Sequence, residues 1–122
     1  MDLTGLDPER LEHAVRQVIA CHDALRLVFL DQEHQQILAE VPPYVVQVAD
    51  LREASPEVAE ARLQALRANR AWRLFAPEQW PLFAVEVTRL PGGVDRIHVS
   101  FDLLLADAFS LFTLMRDVVA AY

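Results

Sequence analysis

Cysteine is almost missing from this chain. Cys21 stands alone among 122 residues, so no internal disulfide can form and packing must hold the fold. A single thiol also fits a reducing compartment, and a cytoplasmic location is expected. Positive charge is scarce as well: eleven Lys and Arg face eighteen Asp and Glu, for a net charge of −7. A nucleic-acid partner would call for a basic face, so none is expected. Long apolar runs are lacking too. The run LLLA at 103–106 is bounded by Asp102 and Asp107, far short of the ~20 residues a membrane span needs. The opening MDLTGLDPER has neither the basic nor the apolar region of a secretory signal. There is no internal repeat and no low-complexity tract.

What the chain does have is apolar residues in ordered spacing, 53% of the total, enough for a real core. Asp7 as N-cap, Pro8 at the first helical position and Glu9 at the positive dipole end predict a helix start. Its stripe is Leu11, Val15, Val18 and Ile19, with Glu12 and Arg16 paired outside, and it should end near 22–24. Residues 25–30 read as a strand, 31–34 as a polar turn and 36–40 as the return strand. A third strand is expected over 44–49, with Tyr44, Val46 and Val48 on one face. Ser55-Pro56-Glu57 opens a helix that should run to about Asn69. The stretch 72–80 is irregular, with Trp72 and Trp80 as packing anchors. Strands over 82–90 and 95–102 flank Pro91-Gly92-Gly93, a hairpin signal, and a helix over 107–122 closes the chain. The order, roughly αββαββα, predicts a mixed α/β (α+β) architecture of sheet and helices.

The strand before residue 102 alternates. Ile97, Val99 and Phe101 belong to the core side, whereas His98, Ser100 and Asp102 point the other way. A carboxylate where a strand gives way to a helix start is well placed for a site. Asp107 has two readings: a functional carboxylate, or simply the N-cap of the last helix with Ser110 bonding back into the same turn. Arg26 also has two. It either points into an apolar layer and needs a carboxylate such as Asp107, or sits at an exposed strand edge. His13 and His22 lack further ligands, so no metal site is expected.

Four segments together resemble one family. HVSFDLLLADAFSL resembles the DxxxxD core of heterocyclization domains of nonribosomal peptide synthetases, including the serine three positions past the second Asp. HDALRLVF is similar to the family's RHxxLRxxF, matched at His22, Leu25, Arg26 and Phe29, with Cys21 replacing the Arg. PPYVVQVADLRE and WPLFAVEVTRL resemble two further strand segments, and all four fall in the family's order.

The resemblance implies a lobe like chloramphenicol acetyltransferase, with carrier-protein arms entering a tunnel between two such lobes. Laid on the HHxxxDG motif of ordinary condensation domains, Asp102 and Leu103 take the two His positions, Asp107 the Asp and Ala108 the Gly. Leu103 thus stands where the condensation histidine would be. The resemblance also implies an Asp107–Arg26 ion pair, a tunnel-facing Asp102 that orients an amine or protonated intermediate, and His98, Ser100 and Leu103 as tunnel lining. A general-base role for Asp102 is secondary, because an exposed carboxylate is a weak base.

The implied reaction joins a carrier-bound acyl thioester to Cys, Ser or Thr and cyclodehydrates the product to a thiazoline or oxazoline, as in siderophore or peptide natural product biosynthesis. No cofactor is expected in the chain itself; phosphopantetheine would sit on partner peptidyl carrier domains. Residues 1–122 are expected to be a partial amino-terminal lobe, without the family's opening segment and without the second lobe, which is both partner and site of the cyclodehydration residues. The last helix, apolar on nearly every side, fits missing neighbours. The alternative is a non-catalytic lobe that docks carrier proteins or serves as a structural module.

Overall fold

The computed structural model describes residues 2–71, 74–102 and 108–122. Helix α1 (Pro8–Cys21) starts as its sequence requires: the Asp7 carboxylate accepts from Glu9 N–H at 3.0 Å and Arg10 N–H at 3.3 Å. Its apolar stripe is buried, and Arg16 reaches Glu12 at 2.7 Å on the outer side. Strand β1 (Asp2–Thr4) precedes it. Three exposed residues with no alternation to speak of gave no sign of this strand.

After α1 a 3-10 turn (Asp23–Arg26) leads into β2 (Leu27–Phe29), which pairs with β3 (Gln35–Ile37). The expected strand over 25–30 is therefore shorter and begins with a helical turn; the backbone N–H of Leu25 bonds back to the His22 carbonyl at 3.1 Å. The turn between the strands is held by Asp31, whose carboxylate accepts from the N–H groups of Glu33 and His34, both at 2.8 Å.

Strand β4 (Gln47–Asp50) starts later than 44. Pro42 and Pro43 offer no N–H for a ladder, and Tyr44 contributes through its side chain instead, accepting from Val85 N–H at 2.7 Å. Tyr44 and Val46 are buried as expected, but Val48 stays 44% exposed at the sheet edge. Helix α2 (Pro56–Ala71) carries the chain over to β5 (Phe83–Leu90), which runs parallel to β4. A β-α-β crossover is what a parallel neighbour demands. β5 turns at Pro91-Gly92-Gly93 into β6 (Val94–Phe101), and both glycines have positive φ, +85° and +79°.

The main sheet runs β1-β6-β5-β4. Its register sets Phe83, Val85 and Val87 opposite Phe101, Val99 and Ile97 on one face. That face meets α1 and the last helix, α3 (Ala108–Ala121), in one core with Leu6, Leu82 and Leu114. Leu82 is fully buried and Val87 is 1% exposed, each contributing about 1.5–3 kcal/mol of transfer free energy. The opposite face carries Glu86 and Thr88 beside His98 and Arg96. There α2 reaches down, with Arg70 Nε donating to Glu86 at 2.8 Å.

Candidate active site and its family

Asp102 follows directly on β6, and its N–H donates to the Leu82 carbonyl at 2.9 Å. This bond extends the β5/β6 ladder by one step and fixes the position of the carboxylate-bearing residue at the strand's end. The side chain of Asp102 is half-buried, like those of Ser100 and His98 before it. Strand alternation and register put the three in one row, with His98 opposite Glu86 and Ser100 opposite Ala84. So the polar row read from the sequence is brought together as expected.

His98 occupies a polar but poorly hydrated spot. Its Nε2 lies 3.3 Å from Thr88 Oγ1, and Thr88 has no exposed surface. Desolvation, followed by the Arg70 and Arg96 guanidinium groups, pushes its pKa down from 6.5 to about 4. His98 is thus a neutral hydrogen-bonding group at physiological pH, unsuited to carry a positive charge. Above it the Arg70–Glu86 pair is largely shielded, with 13% and 17% of the two side chains exposed. Arg70 Nη1 is buried and has no acceptor among the described residues.

Arg26 does not occupy an exposed strand edge. Its guanidinium lies at the C-terminal end of α1, where Nη1 donates to the carbonyls of Ile19 at 2.6 Å and Ala20 at 2.9 Å. Nε donates to Leu38 O at 3.0 Å, and Nη2 meets the Asp23 carboxylate. The side chain satisfies orphan carbonyls at the negative end of a helix dipole and ties them to the segment after β3. Asp107 and Leu103 lie outside the described residues, and with them the Asp107–Arg26 pair and the N-cap of α3. Ser110 falls in the first turn of α3.

Two contacts had no sign in the sequence. His22, the C-cap of α1, places Nε2 2.8 Å from Asp117 Oδ2 on α3. Bonds from Arg116 and His22 hold the Asp117 carboxyl below its usual range, so the carboxylate accepts and His22 Nε2–H donates. Asp7 N–H donates to Tyr122 OH at 3.0 Å, and Arg10 lies over the Tyr122 ring at 4.9 Å. Both link residues about a hundred positions apart, and single-sequence periodicity carries no such information. Trp80 is a packing anchor as expected, edge-on to Tyr44 and Phe83, with its N–H on the Leu25 carbonyl at 2.8 Å; Trp72 lies outside the described residues. Among the described residues no cluster of His, Cys, Asp and Glu could hold a metal ion. No helix among them is long and apolar enough to cross a membrane.

A helix-flanked sheet with a carboxylate at the end of its central hairpin defines a mixed α/β lobe of the chloramphenicol acetyltransferase type. A family model described as "Condensation domain" matches residues 3–122, and the chain belongs to that family. Pyochelin synthetase PchE of Pseudomonas aeruginosa is 40% identical over 117 residues, covering 96% of this chain and 8% of that protein. Phenyloxazoline synthase MbtB of Mycolicibacterium paratuberculosis is 39% identical over 119 residues, covering 96% and 10%. Among solved structures, the EpoB cyclization-docking bidomain from Sorangium cellulosum superposes with a TM-score of 0.92 at 36% identity, covering 99% of this chain and 24% of that one. The chain therefore spans about a tenth of the curated relatives' length. Its likeness is to the cyclization members of the peptide-synthetase condensation superfamily.

Proposed function

We propose that residues 1–122 form part of the amino-terminal lobe of a heterocyclization domain, working in the cytoplasm with peptidyl carrier proteins. Their phosphopantetheine arms supply the thioesters. The amine of a carrier-bound Cys, Ser or Thr attacks the acyl thioester carbon, forming C–N and breaking C–S, and the donor carrier's thiol leaves with a proton. The side-chain thiol or hydroxyl then adds to the new amide carbon, and water departs to leave the thiazoline or oxazoline.

In this reading Asp102 orients the amine, or a protonated intermediate, through charge-assisted hydrogen bonds. His98 and Ser100 line the approach as neutral groups, and Leu103 marks the loss of the condensation histidine. The resemblance further implies an Asp107–Arg26 ion pair as the motif's structural support, with Ser110 three positions past Asp107. The observation that carries the reading is the placement of Asp102 directly after β6, in a chain 39% identical to a phenyloxazoline synthase.

The test is a chimera in which this chain replaces its counterpart in that synthase. Mass spectrometry of the carrier-bound product should show an oxazoline with the native insert. Asp102→Ala should lower its formation at least tenfold, while carrier binding persists. An Asp102→Ala chimera as active as the parent overturns the role given to Asp102. An inactive native chimera that still binds carrier protein favours the docking-module alternative. Incubated alone with acyl and cysteinyl carrier proteins, the 122 residues should give no thiazoline; turnover would refute the need for a second lobe.

A further inference from the structure

Protein interiors rarely leave space larger than a water molecule, yet a cavity of about 320 Å³ lies between α1, α3 and the core face of the sheet. Val15 on α1, Val85 and Ile97 on the sheet and Met115 on α3 line it, and every wall side chain is aliphatic, thioether or aromatic. Leu3 and Val119 stand at the rim, 37% and 64% exposed. A space without polar partners holds water poorly, and apolar atoms that fill it restore the dispersion contacts its wall lacks. A cavity of about 150 Å³ takes a benzene ring, so this one has room for roughly ten carbons. At Tyr122, part of the same wall, the chemistry changes. Its hydroxyl accepts from Asp7 N–H at 3.0 Å, which leaves the phenolic hydrogen to donate. Arg10 lies over the ring, 4.9 Å from its centroid, and makes no ion pair among the described residues. The nearby Asp7 carboxylate is taken up by the N–H groups of Glu9 and Arg10. A guanidinium with open donors beside a phenolic O–H suits a carboxylate.

We propose that this cavity binds a medium-chain carboxylate of about eight to ten carbons, with its tail between α1 and α3 and its head group on Arg10 and the Tyr122 hydroxyl. The site lies on the opposite face of the sheet from His98 and Ser100 and does not depend on the heterocyclization reading.

The probes are hexanoate, octanoate, decanoate and dodecanoate, titrated below their micellar concentrations into the 122-residue chain and read by calorimetry and methyl NMR. Affinity should rise about fourfold per added methylene and level off near roughly ten carbons. Signals of Val15, Val85, Ile97 and Met115 should shift, while those of Ala59 and Leu63 on α2 stay in place. Arg10→Gln should weaken decanoate about fivefold and leave uncharged decanol unchanged. Val119→Glu, also at an exposed position, should weaken decanoate by setting a like charge at the rim. Decanoyl pantetheine, a thioester without a free carboxylate, should bind no better than decanol; tighter binding would make a carrier-borne acyl chain the occupant and overturn the assignment. The chimera should bind decanoate as the 122-residue chain does. Affinity that keeps climbing with chain length, shifts spread over both faces of the sheet, equal loss of decanol and decanoate with Arg10→Gln, or no saturable binding in either protein overturns the proposal.

Discussion

Every one of the eleven cationic side chains here is an arginine, and the structure uses the guanidinium fork repeatedly. Arg26 makes four hydrogen bonds, three of them to carbonyls. A lysine offers three donors from a single point and cannot span those acceptors. Arg26→Ala is expected to cost about 2–4 kcal/mol, from orphaned carbonyls and a weakened helix end. It should lower the melting temperature more than Asp102→Asn does. The reverse order in a calorimetric scan would mean that the structural and functional roles have been exchanged. Asp95 gives a second case, being 3% exposed and paired with Arg89 at 3.0 Å. Arg89→Ala leaves that carboxylate buried without its cation and should cost about 3–5 kcal/mol in denaturant titration.

His98 adds a pH dependence at the same scale. Its folded pKa, about 4, lies below the ordinary 6.5, so the native state binds fewer protons than the unfolded chain. Its contribution to stability is whole above pH 6.5 and is lost as pH falls from there toward 4. The depressed carboxylates Asp2, Asp31, Asp50 and Asp117 act only around and below 3.8. The two windows therefore separate. Melting temperature should decline between pH 6.5 and 4 in the native protein, and His98→Gln should flatten that decline; an unchanged slope would place the protonation elsewhere.

At the scale of elements, what could be read in advance was what local chemistry dictates. The α1 cap, the β5/β6 hairpin and the alternating row of His98, Ser100 and Asp102 all follow from residues within a few positions of each other. Arg26 showed the limit. Its pattern in LRLVFL suggested a strand, but the pull of three carbonyls and a 3-10 turn prevailed, and those acceptors come from residues 19, 20 and 38. β1 was invisible because its pairing with β6 depends on the partner rather than on its own composition. The His22–Asp117 bridge likewise joins two helices whose separate sequences say nothing about meeting. The DxxxxD spacing over 102–107 was legible because all of its residues are local in the chain. For packing, Leu82→Ala removes a side chain with no exposed surface and should cost about 2–5 kcal/mol; urea unfolding reads this directly.

For the molecule as a whole, the two sides of the sheet divide the labour. One is a dry core of aliphatic and aromatic side chains under α1 and α3. The other is a polar face with Asp102 at the end of its row and α2 over the Arg70–Glu86 pair. On α3, Phe112 is 72% and Val119 64% exposed, seven residues apart and hence on one side. That matches the expectation of a helix apolar on more than its core face. The pairing of β1 with β6 has a temporal side. Asp2 lies opposite Arg96, with the two side chains bonded at 2.7 Å. On a ribosome the first strand emerges long before the strand it must join, so it stays solvent-borne while most of the lobe is made. Closing a loop of that length is slow and entropically costly. The sheet's outer edge is therefore expected to be the last part of this lobe to form.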